Sequence, residues 1–121
     1  MRNSETTTKS QLMHFENGVA IGTADQWLDS QYCKILTPAG VVGCAIFNLA
    51  IAEEVGSAMA IVKGNMDDQL YRPEQLLDAR ITGVSSRAAE LGVAVGMTGR
   101  EAVERFLELS GEHKVEAPTH G

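Results

Sequence analysis

The sequence predicts an α+β fold: an N-terminal antiparallel or mixed β-sheet, a strand–helix–strand unit at its centre, and C-terminal helices packed on it. Three observations lead there. Residues 41–47, VVGCAIF, form an apolar run of the length of a strand covered on both faces. The period then changes: Leu49, Ile51, Ala52 and Val55 share one helical face, Glu53 and Glu54 take the other, and Ala58–Val62 is a second short apolar run. Helix start and stop signals recur from residue 73 onward, whereas the N-terminal half carries turn pairs and alternation.

Taken in order, residues 1–10 are polar and rich in Ser and Thr, without periodicity, and are expected to be a disordered arm. Asn17-Gly18 favours a tight hairpin turn, and Gly18–Asp25 is the first expected strand. Gln31–Thr37 alternates, with Tyr32, Lys34 and Leu36 on one face and Cys33 and Ile35 on the other. Pro38-Ala39-Gly40 reads as a reverse turn, so the Val41 strand returns antiparallel. As a three-residue loop it pairs Thr37 with Val41, sets Cys33 opposite Ala45 and Cys44 opposite Lys34, and turns the two thiols apart, with no disulfide between them. A two- or four-residue loop would instead set Cys33 across from Cys44.

Asn48 suits an N-cap and Gly56 a left-handed helix end. Residues 65–69 form a polar linker, and Pro73 opens a short helix whose buried contact is Leu76 and Leu77. Arg80–Val84 fits a short strand. Ser85 or Ser86 caps a helix that stops at Gly92, and Val93–Met97 is an extended connection. Thr98 and Glu101 form a capping box for a final helix with the stripe Ala102, Val103, Phe106 and Leu107. Ser110-Gly111 ends it, so one domain is expected over residues 11–111 and a disordered tail over 112–121.

At 121 residues and 13.0 kDa the chain has room for one domain. Aromatics are 5% against a 44% hydrophobic fraction, so the core is aliphatic and built of small side chains. A net charge of −6 and a pI near 4.9 argue against nucleic acid or an anionic membrane as the main partner, because phosphate binding needs clustered Lys and Arg. No apolar stretch reaches the ~20 residues of a membrane span. The first residues lack the apolar region of a signal peptide, so the expected location is cytoplasmic and both cysteines are expected as thiols.

Cys44 is the candidate nucleophile, a few residues before a helix N-terminus whose dipole lowers a thiol pKa. Against this stands the common use of cysteine as a small buried hydrophobe, and no His lies near it in sequence. No Cys-x-x-Cys or His-x-x-x-His spacing occurs, so no metal site and no cofactor are expected. Glu53-Glu54 and Asp67-Asp68 are adjacent carboxylates that point different ways, as on a solvated face. The candidate anion-binding loop is Gly96, Thr98, Gly99 and Arg100, which leads into a helix N-terminus. A structural turn with a helix cap explains the same residues.

Two blocks together resemble the YunC-like proteins of bacteria and archaea: GVVGCAIFN with AEEVGSA.AIVKG, and EQLLDARITGVSSRAAELGVAVGMTGREAVERF. The resemblance covers roughly residues 18–109. Its most specific string is Leu91-Gly92 and Val95-Gly96-Met97-Thr98-Gly99-Arg100-Glu101-Ala102, and Cys44 also fits the pattern. Where members carry Arg-Gly after the second strand, this chain has Lys63-Gly64, which keeps the charge and loses the bidentate fork of arginine. The resemblance adds Lys63 and Gly64 to the candidate ligand-binding residues. It implies an α+β domain that forms tetramers through its N-terminal β region, and it implies no activity. The functional expectation is a small cytosolic homo-oligomer, a tetramer, that binds a partner or a small anionic ligand. The alternative is a Cys44-dependent enzyme acting on a small metabolite.

Overall fold

The computed structural model describes residues 6–27, 30–44, 47, 49–63 and 73–116. In chain order these form β1 (Thr6–Phe15), β2 (Gly18–Trp27), β3 (Ser30–Leu36), β4 (Val41–Cys44), α1 (Leu49–Val55), β5 (Met59–Val62), α2 (Pro73–Asp78), β6 (Ile81–Val84), α3 (Ser86–Glu90) and α4 (Gly99–Glu116). The strands make one six-stranded sheet in sequence order. Neighbours are antiparallel except β4 and β5, which α1 joins as a parallel pair. This is the α+β architecture expected, a mixed sheet with helices packed on it.

Alternation along the strands divides the sheet into two faces. Met13, Ala20, Cys33, Ile35, Val42, Cys44, Ala60, Val62 and Ile81 join the core, where they meet Leu76 and Leu77 of α2 and the stripe Ala102, Val103, Phe106 and Leu107 of α4. The opposite face is covered at its β5–β6 end, where Leu49 of α1 packs over Gly83 beside Ile61.

Four boundaries differ from the sequence expectation. Residues 6–10 are strand: β1 pairs with β2 from Thr6↔Trp27 to Phe15↔Gly18. Threonine's branched side chain favours extended backbone, and an edge strand needs no apolar cover for its polar side chains. Within the Val41–Phe47 run the described strand is Val41–Cys44, and the Cys44 carbonyl accepts from the Phe47 N–H at 3.1 Å, a turn where more strand was expected. The Phe47 ring folds back over Gly43, edge-on to Tyr32 at 6.4 Å, so the end of the apolar run covers the strand instead of extending it. The expected N-cap Asn48 lies outside the described residues.

The third difference is the β3–β4 register. Leu36 pairs with Val41 and Lys34 with Gly43, so the loop is the four residues Thr37–Gly40. Thr37 belongs to the turn: its hydroxyl accepts from the Gly40 N–H at 2.9 Å and donates to the Gly40 carbonyl at 2.7 Å. One further step along this register sets Cys33 opposite Cys44, both on the core face, correcting the expectation that they point apart. The turn is pinned from α4. Any side chain at Gly40 would strike the Phe106 ring, and the Ala39 N–H donates to Ser110 Oγ at 3.0 Å. Ser110 in turn donates to the Phe106 carbonyl at 2.7 Å. The fourth difference is the end of α4. It passes Gly111 and stays helical to Glu116, because one glycine costs only about 1 kcal/mol against alanine in a helix interior.

Other signals hold. Gly56 takes φ +74° and the Ser57 N–H reaches back to the Ala52 carbonyl at 2.9 Å, a Schellman ending for α1. Ser85 caps α3, accepting from the Ala88 N–H at 3.3 Å. The same hydroxyl accepts from the Met59 N–H at 3.0 Å and donates to the Ser57 carbonyl at 2.7 Å, so one buried side chain ties β5 to α3. Ser85→Ala should therefore cost more than an ordinary cap, about 2–3 kcal/mol, because it strands these groups together. A urea midpoint shift with unchanged slope measures this; an unchanged midpoint would show that the hydroxyl is dispensable.

Candidate functional site

The loop before α4 is held from several sides. The Thr98 N–H donates to Glu101 Oε1 at 2.8 Å, and the Glu101 N–H donates to Thr98 Oγ1 at 3.1 Å, closing the expected capping box. The Gly99 N–H donates to the Ala79 carbonyl at 2.9 Å, and a side chain at Gly99 would run into the Leu76 carbonyl. Three amides of this helix start thus have protein acceptors, and the Glu101 carboxylate takes an anion's place on one side of it. Arg100 points elsewhere, its guanidinium 5.9 Å from the centre of the Phe15 ring.

Lys63 lies one residue past β5, and Arg80 one residue before β6. Because Val62 pairs with Ile81, the two exposed cations flank the same end of the β5–β6 ladder. Arg80 also bridges to Thr98 and donates from Nη1 to the Gly96 carbonyl at 2.9 Å. The structure therefore brings Lys63, Gly96 and Thr98 together around Arg80, which sequence reasoning passed over. The available signal was a basic residue opening a short strand. Gly64 lies outside the described residues. This end of the sheet is where the parallel strands β4 and β5 finish, the position at which α/β sheets commonly receive ligands.

Cys44 is the last residue of β4, paired with Val62, and it is 7% exposed. Cys33 faces it from β3 with no exposure. Neither is in a disulfide. Their side chains are in hydrogen-bond contact, and that bond pushes the Cys33 thiol far above its ordinary range, with burial and the charges of Cys44 and Glu74 adding to it and Lys34 opposing. Among the described residues no group of three or more His, Cys, Asp or Glu side chains could hold a metal ion. Two surface hollows have little charge to spare. In one, Arg105 already serves the Leu91 carbonyl and Glu108; in the other, Arg87 is paired with Glu90 at 3.1 Å.

The family model of a domain of unknown function, DUF1805, matches residues 43–106, just over half of the chain. The chain belongs to the DUF1805 family. It is 29% identical over 79 residues to the uncharacterized protein YunC of Bacillus subtilis (strain 168), covering 65% of this chain and 77% of YunC. The crystal structure of a Thermoplasma acidophilum protein of unknown function shares the fold, with a TM-score of 0.74 at 16% identity over 84% of this chain and 94% of that one. The DUF1805 span starts in β4 and ends in α4. It takes in Cys44, Lys63, Arg80 and the Gly96–Glu101 loop, and leaves Cys33 and the first three strands outside.

In this DUF1805 chain, Thr98→Ala should cost about 1 kcal/mol, the usual loss for an N-cap, read as a lower unfolding midpoint. The Glu101 carboxyl is held below the usual range, first by the Thr98 N–H and then by its hydroxyl. A depressed folded-state pKa stabilises above the unfolded value and loses that effect as pH falls through the folded one. The melting temperature gap between the unmodified chain and Glu101→Gln should therefore be widest near neutrality and close under acid conditions. A gap that stayed constant with pH would show that the carboxylate charge is not what caps α4.

Proposed function

We propose that the chain is a cytoplasmic homo-oligomeric binding module, its copies joined through the sheet face turned away from α2 and α4. A row of aliphatic side chains straight across the sheet carries this reading. Leu12 pairs with Ile21, Ile21 with Leu36, Leu36 with Val41, and Val41 with Met59. All five lie on the face opposite the core, and Leu12 and Ile21 are 65% and 43% exposed. A contiguous apolar strip on a chain of net charge −6 is costly in water and is relieved when a second copy covers it. A two-fold axis brings the strip onto itself, so the surface is its own complement. Beside it, Lys34 and Asp25 pair at 3.4 Å, which limits the charge that would oppose the approach.

We take the assembly to be a tetramer, which needs a second contact besides this one. The ligand assigned to the module is a small anion, supported by the exposed cations Lys63 and Arg80 beside the end of the parallel pair. Light scattering should return a tetramer mass at micromolar concentration, and Ile21→Glu should lower it while leaving the circular dichroism unchanged. A mass of 13.0 kDa for the unmodified chain overturns the reading. For the ligand, phosphate should raise the melting temperature of the unmodified chain and not of Lys63→Ala; an equal response in both removes Lys63 from the site.

A further inference from the structure

We propose that Cys33 and Cys44 form an oxidation site for small peroxides, closing as a disulfide between β3 and β4. Register is the first support. Residues directly opposite in an antiparallel pair have Cα atoms roughly 4.5–5.5 Å apart, inside the span of about 4.4–6.8 Å that a disulfide bridges. Lys34↔Gly43 is such a pair, and Cys33 and Cys44 are the next step along the same ladder. Orientation is the second support: both side chains are buried on the core face of the sheet. Closing the bridge thus needs no change of strand pairing.

Access gives the two sulfurs different parts. Cys33 has no exposure, so a solute does not reach it directly. Cys44 keeps 7% exposure at the end of β4, where the chain turns away at Phe47. A peroxide small enough to enter therefore meets the Cys44 sulfur first. The Cys44 thiolate attacks one peroxide oxygen and the O–O bond breaks, giving a sulfenic acid and releasing hydroxide or alkoxide, which takes up a proton. Cys33 sulfur then attacks the sulfenic sulfur. The S–S bond forms, the S–O bond breaks, and the leaving hydroxide departs as water with the Cys33 proton. Two thiols are oxidised by two electrons and one peroxide is reduced. A bulky disulfide oxidant does not fit this approach, and a second chain cannot reach thiols that face the core. The site is independent of the proposed oligomer, because the aliphatic row lies on the other face of the sheet.

The test exposes the full-length protein to excess hydrogen peroxide and reads its intact mass. The expected product has lost two hydrogens, has no titratable thiol after denaturation, runs as a single chain on a non-reducing gel, and regains both thiols on reduction. Cys33→Ser should instead gain one oxygen at Cys44 and react with dimedone. If that variant does not fold, peptide mapping of the oxidised unmodified chain serves in its place, with a Cys33–Cys44 cross-linked peptide expected. Retention of both thiols overturns the proposal. So do oxygen adducts without a cross-link, or a disulfide between chains.

Discussion

The turn Thr37–Gly40 decides what the two faces of the sheet contain. Its closure by the Thr37 hydroxyl puts Leu36 against Val41, and every later pairing on β3 and β4 follows from that step. A slip of one residue on either strand would exchange its core and solvent faces. In the observed register Cys33 and Ile35 lie with Val42 and Cys44 in the core, while Leu36 and Val41 continue the aliphatic row outside. Helix α4 enforces the choice from a distance in sequence. Phe106 fills the space above Gly40 and Ser110 holds the Ala39 amide, so the corner has one position in which it fits.

The same helix ties down the rest of the fold, and it does so with charges that could otherwise be taken for a ligand site. Glu104 accepts from the Glu16 and Asn17 amides at 3.2 and 3.1 Å, anchoring the β1–β2 hairpin. Arg105 donates from Nε to the Leu91 carbonyl at 2.7 Å, holding the end of α3. Glu101 caps its own helix, and its neighbour Arg100 rests on Phe15. Four charged side chains on the first two turns of the helix are thus spent on backbone groups or on an aromatic face. The exposed cations Lys63 and Arg80 stand apart from this helix, at the end of the β5–β6 ladder, and Arg80 there gives one donor to the Gly96 carbonyl.

Local chemistry was legible in the sequence wherever one residue type answers one backbone need. Gly56 at a left-handed helix end, Ser85 as a cap and the Thr98–Glu101 box are each recognisable without knowledge of the fold. Alternation also read correctly: Tyr32, Lys34 and Leu36 share the face opposite Cys33 and Ile35. The misses come from side chains whose role depends on something distant. Thr37 looked like the last strand residue because threonine suits strands, and only its bond to Gly40 shows it to be part of the corner. Phe47 looked like strand because it is apolar, and only the fold-back over Gly43 shows it to be a cover. Arg80 showed only as a basic residue opening a short strand, and the bridge to Thr98 is what places it beside Gly96.

The candidate nucleophile changes character for the same reason. Read along the chain, Cys44 is a lone thiol before a helix, with its nearest cysteine eleven positions back and nominally turned away. Read across the sheet, it stands one register step from the Lys34↔Gly43 pair, opposite Cys33, and the two share the core face. That site joins two regions with different histories of recognition: Cys44 lies inside the span that defines the DUF1805 family and Cys33 lies in the N-terminal sheet outside it. A thiol at the end of β4 is by itself an ordinary packing residue with an exposed edge. A second thiol opposite it adds a resolving group, which stops oxidation at the reversible disulfide and prevents the climb to irreversible acids. The chemistry thus belongs to the pair. Whether another chain of this fold can carry it depends on what stands opposite that position on its third strand.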